Sequence, residues 1–136
     1  MSARSKARKR ALDVLFEADQ RDRDPLATLQ EWTDRDDPPV PAYAEVLVRG
    51  VADHAARIDE VLAGYTTNWP VDRLPSVDRA VLRLATFELL WSPEVPAAVA
   101  IDEAVELAKS LSTDASPAFV NGVLARVLDD RDQLTP

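Results

Sequence analysis

The sequence predicts an all-α fold, a helical bundle of about six to seven helices in two halves, and three observations carry it. Apolar residues recur at helical spacing along nearly the whole chain, and no alternating run survives as a strand. Only three glycines occur, and prolines stand where the periodic stretches start or stop. With 136 residues, 46% of them apolar and 29% charged, the chain is long enough to bury a core as one domain.

The first helix is expected from about Ser5 to Arg21, burying Ala7, Ala11, Val14, Leu15 and Ala18 as one stripe. A second, short helix follows Asp24-Pro25, a cap residue with proline at the first helical position. The Asp- and Pro-rich stretch from Thr33 to Pro41 reads as a loop. A long helix is then expected over roughly Ala42 to Ala63, ending near Gly64. Residues 68–75 read as an irregular connector with room for one helical turn, marked by Trp69-Pro70 and Leu74-Pro75.

Ser76 opens a helix to about Trp91 that is apolar almost all round, as a central buried helix should be. Ser92-Pro93 stops it. From about Ala97 to Leu111, Ile101, Ala104, Val105, Ala108 and Leu111 keep the i, i+3, i+4, i+7 spacing. The last helix begins at Ser116-Pro117 and buries Val120, Val123, Leu124 and Val127. Asn121-Gly122 lies inside it, where glycine costs about 1 kcal/mol against alanine, so either a neighbouring helix or a ligand is expected to approach closely, packing being the simpler reason. A hinge near residues 64–70 is expected to divide the single domain, 1–136, into halves of about 1–65 and 66–136.

Charge is unevenly spread. Arg4, Lys6, Arg8, Lys9 and Arg10 crowd the first ten positions without an acid among them. The remaining 126 positions hold 11 Lys and Arg against 24 Asp and Glu, a balance of −13. This segregation reads as a local polyanion-binding patch on a body that otherwise repels phosphate. On a helical wheel Lys6, Lys9 and Arg10 face solvent, while Arg4 and Arg8 flank the apolar stripe. Phe16 lies two turns beyond Lys9 at the stripe's margin. A cation row beside a half-exposed aromatic suits single-stranded nucleic acid, since a ring stacks a base for roughly 1–3 kcal/mol. The same residues also fit a plainer account, with Phe16 in the core and the cations adding solubility.

Catalytic signals are weak. His54 is the single histidine and has no serine or cysteine pattern to serve, so it reads as a surface or packing residue. Cysteine is absent, which removes disulfides, thiol nucleophiles and cysteine metal sites and fits a reducing cytosol. Asp102-Glu103 and Glu106 read as a wet helix face, with Lys109 three residues on from Glu106. No glycine-rich phosphate loop occurs. No catalytic residue, metal ligand or cofactor is therefore expected. No apolar run approaches the roughly 20 residues that span a bilayer. The cations at the start are followed by Asp13, Glu17 and Asp19 rather than by a signal peptide's apolar core.

Read as strings, Val77-Asp-Arg-Ala-Val-Leu-Arg-Leu-Ala-Thr-Phe-Glu-Leu-Leu90, Val95-Pro96, Ile101-Asp-Glu-Ala-Val-Glu-Leu-Ala-Lys109 and Phe119-Val-Asn-Gly-Val-Leu124 closely resemble the NusB family of bacterial transcription antitermination factors. Ala7-Arg-Lys-Arg-Ala11 through Leu15-Phe16-Glu17 is similar to that family's first helix, so the resemblance covers essentially the whole chain. It implies an all-helical fold in two halves and a non-enzymatic, cytoplasmic role. That role is to bind the boxA element of ribosomal RNA transcripts with the small-subunit ribosomal protein that doubles as NusE. The complex helps RNA polymerase read through terminators.

The resemblance maps RNA contacts onto Arg4, Lys6, Arg8, Lys9, Arg10, Phe16, Ser116 and Phe119, and partner contacts onto Asp78, Arg79 and Glu88. Phe16 stands where the family often has tyrosine, so it can stack without donating a hydroxyl hydrogen bond. Ala115 stands where the family often has an acid, with Asp114 one position earlier. Restoring that acid with Ala115→Asp is expected to weaken RNA binding, read as a raised dissociation constant. Two other readings compete. One is the NusB-like RNA-binding module of an rRNA cytosine methyltransferase, which requires a longer chain with a cofactor-binding half. The other is a helical protein adaptor that binds no RNA. Substituting Lys9 and Arg10 together separates them, because RNA affinity and its salt slope fall only if the pair contacts phosphate.

Overall fold

Helical periodicity and local stop signals produce eight α-helices and one 3-10 turn among the described residues of the computed structural model, 2–66 and 69–134, with no strand. They are α1 (Ala3–Gln20), α2 (Pro25–Arg35), α3 (Ala42–Asp53), α4 (Ala55–Ala63), α5 (Ser76–Trp91), α6 (Ala97–Leu111), α7 (Ser116–Asp129) and α8 (Arg131–Leu134), with the 3-10 turn at Val71–Arg73. The all-α prediction holds. Thr67 and Asn68, inside the expected hinge and connector, lie outside the described residues.

One expected helix is two. The stretch 42–63 breaks at His54, whose φ of −113° and ψ of 17° leave the helical region. The chain divides into two compact units at the same place, Met1–Asp53 and His54–Pro136. No glycine or proline marks the break. Its tertiary partner is instead Trp91: the His54 ring stacks on the indole at 4.1 Å between centroids and 12° between planes.

In the first unit α1, α2 and α3 pack pairwise. Asp24 caps α2, its side chain accepting from Leu26 N at 3.2 Å, with Pro25 at the first helical position as expected. The indole of Trp32 donates to Glu17 Oε2 at 3.0 Å and ties α2 to α1.

In the second unit α5 is the central element, touching α4, α6, α7 and α8, and every residue from Leu84 to Leu90 is buried. Arg83 holds Asp59 of α4 with two parallel bonds of 2.9 Å, the bidentate geometry a guanidinium favours. Arg57 donates to the Leu134 carbonyl at 2.9 Å and pins α8. Tyr65 donates to Asp130 Oδ2 at 2.5 Å, and Arg126 donates to the Tyr65 carbonyl at 2.6 Å. The close packing expected at Gly122 is absent: an added Cβ would meet nothing within 4 Å, and the residue is exposed.

No helix among the described residues is long and apolar enough to cross a membrane. No group of three or more His, Cys, Asp or Glu among them could hold a metal ion.

Candidate nucleic-acid interface

Ser2 starts α1 by accepting from Ser5 N at 3.0 Å, and no acid follows in the first turn. A helix N-terminus already carries about half a positive charge, so each cation there is disfavoured by roughly 0.3–1 kcal/mol. Arg4 and Lys6, the two cations of that first turn, therefore add positive potential against the helix dipole.

The five cations are placed differently from one another. Arg4 and Lys6 are exposed, Lys9 and Arg10 are half-buried, and Arg8 is buried at 2% exposure. The guanidiniums of Arg4 and Arg8 lie over the Tyr43 ring, 4.3 and 5.7 Å from its centroid, within cation–π range. Lys9 Nζ donates to both Asp13 carboxylate oxygens, at 2.7 and 2.8 Å. Arg10 donates to the Pro38 carbonyl at 2.7 Å and lies 4.7 Å from the Trp32 ring, whose other guanidinium neighbour is Arg35 at 5.5 Å.

Arg8 corrects the wheel reading. It was expected to flank the stripe, yet Leu12 and Leu15 follow it at i+4 and i+7 and are both buried. With Leu12 included, the stripe widens and Arg8 falls inside it. Lys9 and Arg10 likewise do not face solvent freely; each has an intramolecular partner. Phe16 is 36% exposed, at the edge of the buried face as expected. Tyr43 and Trp32, the aromatic supports of this cluster, were not singled out from the sequence. Tyr43 is the second residue of α3 and Trp32 the eighth of α2, and a lone aromatic in an amphipathic helix is too common a pattern to flag.

In the second unit the first turn of α5 meets the α6–α7 junction. Asp78 is buried, and its carboxylate accepts from Ser112 Oγ at 2.7 Å and Ser116 Oγ at 3.0 Å. Ser116 Oγ in turn accepts from Thr113 N at 3.2 Å. Arg79 donates to the carbonyls of Asp72 and Leu74 at 3.1 and 3.2 Å, which fixes the 3-10 turn before α5. Glu88 is 1% exposed. Asp78 and Glu88, expected at a partner surface, are thus interior groups, and Arg79 is committed to backbone. The cause for Asp78 is long-range: its hydroxyl partners stand 34 and 38 residues away in the chain. Ser116, expected at RNA, is buried at 1% exposure for the same reason.

Beside this polar knot a pocket of about 290 Å³ opens. Trp69 and Leu74 line it from the connector, Thr113, Ala115 and Ser116 from the junction, and half-buried Phe119 from α7. Trp69 is 52% exposed. Sequence reasoning used it only to mark a connector, although an indole beside proline in a polar stretch is a usable signal for an unburied aromatic.

The profile of the NusB family matches residues 5–129. The transcription antitermination protein NusB of Kineococcus radiotolerans is 57% identical over 135 residues, 99% of each chain. That of Acidothermus cellulolyticus is 56% identical over 135 residues, covering 99% of this chain and 93% of its own. Among solved structures, T. maritima NusB superposes with a TM-score of 0.84 at 36% identity, covering 96% of this chain and 93% of that one. A chain from a crystal structure of the antitermination factors NusB and NusE in complex with dsRNA gives 0.82 at 28% identity, covering 93% of this chain and 96% of that one. Helical order, match length and identity agree, and the chain belongs to the NusB family.

Proposed function

We propose that this protein is a cytoplasmic, non-enzymatic antitermination factor that binds boxA-type single-stranded RNA of rRNA transcripts together with the ribosomal protein NusE, within the RNA polymerase antitermination complex. The cation cluster at the start of α1 carries the reading, because Arg4 and Lys6 stand in the first turn against the helix dipole while the rest of the chain is acidic. Membership of the NusB family and the structural likeness to a chain crystallised with NusE and RNA support the same reading.

Arg4 and Lys6 take phosphate directly. Lys9 reaches it by leaving Asp13, and Arg10 and Arg8 hold the aromatic supports in place. Phe16 offers a ring to a base, and Phe119 does so from the second unit, where Ser116 positions the helix start. Toward the protein partner, Asp78, Arg79 and Glu88 act by fixing α5 and the turn before it. The two units work as one NusB-like domain spanning residues 1–136. A small cationic patch alone gives salt-sensitive binding, and a partner with its own RNA contacts raises affinity and specificity.

The test is fluorescence anisotropy of a labelled boxA-like RNA against a scrambled one, with and without NusE, over a range of salt. Partner-enhanced binding that prefers boxA is expected. The double substitution Arg4→Gln with Lys6→Gln should lower affinity about tenfold or more. It should also flatten the salt slope by roughly 1.4, the value for two lost contacts to a single strand. Equal binding to both RNAs in every condition would overturn the proposal.

A further inference from the structure

We infer that the Trp69–Phe119 pocket receives one unstacked base of the bound RNA strand, with Trp69 as a stacking residue that sets specificity; this rests on the RNA-binding reading above. Trp69 leaves half of its surface in solvent, yet it lines a concavity rather than a flat face. Phe119 supplies a second aromatic ring to the same space. Aromatic rings that stay accessible inside a pocket suit a flat π-ligand, and every nucleobase has such a face.

Charge selects among occupants. Asp78 is the one charged residue among those lining the pocket, and no lysine or arginine joins it. A phosphate is therefore repelled, whereas the N–H edge of a base is welcome. Each Asp78 oxygen accepts one hydroxyl and retains a further lone pair for such a donor. Size agrees: about 290 Å³ lies at the small end of ligand pockets, which run from roughly 300 to 1,000 Å³. A protein partner needs a broad surface of about 800 Å² per side instead. Ala115, also in the lining, adds only a methyl group and leaves the pocket open.

The experiment uses the full chain with single-stranded boxA-like RNA carrying 2-aminopurine at one position at a time. Trp69→Ala should weaken binding about tenfold or more, the size of one lost base stack, without changing the salt slope. Trp69→Phe should stay within about threefold of the parent. One 2-aminopurine position should be quenched on binding the parent and Trp69→Phe, and lose that quench with Trp69→Ala. Ala115→Trp, which fills the pocket and removes no packing, should reproduce both losses even where Trp69→Ala folds poorly.

Parent protein that binds RNA, with Trp69→Ala and Ala115→Trp matching it within twofold and keeping its quench, overturns the pocket while the RNA reading stands. Substitutions that lower affinity for NusE but not for RNA also overturn it, since the occupant is then protein. A parent that binds no RNA overturns both readings.

Discussion

At the start of α1 five cations crowd a helix end that is already positive, with no acid in the first turn. At the start of α5 a single carboxylate, Asp78, sits at the same kind of end with the favourable sign and accepts two hydroxyl hydrogen bonds. The two regions contrast a charge that the fold stabilises with charges that the helix end disfavours. Asp78 finds both hydroxyl partners within its own unit. Arg4 and Lys6 leave positive potential for a counter-charge from outside.

The largest effect is expected at Asp78. Asp78→Ala removes the acceptor of one buried and one partly buried hydroxyl, each bond to a charged group being worth about 1.5–3 kcal/mol, and a favourable dipole contact besides. Relaxation and water recover part of this, so the expected loss is about 3 kcal/mol, read as a lower urea midpoint at unchanged m-value. A loss below about 1 kcal/mol would place Asp78 with the exposed charges.

Tyr65 provides a carboxylate contact that pH can switch. Its hydrogen bond to Asp130 raises the hydroxyl pKa above 10.0, with burial and the Asp130 charge adding to the rise and Arg126 opposing it. A folded-state pKa above the unfolded one means the contribution is complete below pH 10.0 and fades as pH climbs through the folded value. Tyr65→Phe should therefore cost about 1 kcal/mol near neutral pH. Urea titrations on both sides of pH 10.0 should show the gap between parent and variant closing above it. A gap that persists at high pH would show that packing of the ring, not its proton, holds the contact.

Local chemistry was the legible part. Asp24-Pro25 marks a helix start because a cap and a proline act within one turn, Ser116-Pro117 does so through its proline alone, and α5 announced its burial by being apolar all round. The break at His54 was illegible because its partner, Trp91, lies 37 positions on in the chain. For the site, the cation cluster and Phe16 were visible as composition and spacing. Which cations remain available was not, since that depends on Leu12 widening the stripe, on Tyr43 and Trp32, and on the Pro38 carbonyl. Asp78 was noticed as a charge but its burial was not legible, because only the folded α6–α7 junction brings Ser112 and Ser116 to it.

The smallest expected effect pits stability against binding at one helix end. Lys6 is exposed at the start of α1, so Lys6→Gln should relieve the dipole penalty and raise stability by roughly 0.3–0.5 kcal/mol at low salt. Added salt should erase the gain by screening. Arg4 carries the same charge, but its guanidinium lies 4.3 Å from the Tyr43 centroid. That cation–π contact contributes about 0.5–1 kcal/mol and offsets the dipole term, so Arg4→Gln should be neutral or slightly destabilising. Both variants should bind RNA more weakly. A stability gain for Lys6→Gln together with an affinity loss would identify a cation kept for its ligand; a stability loss would return it to the fold.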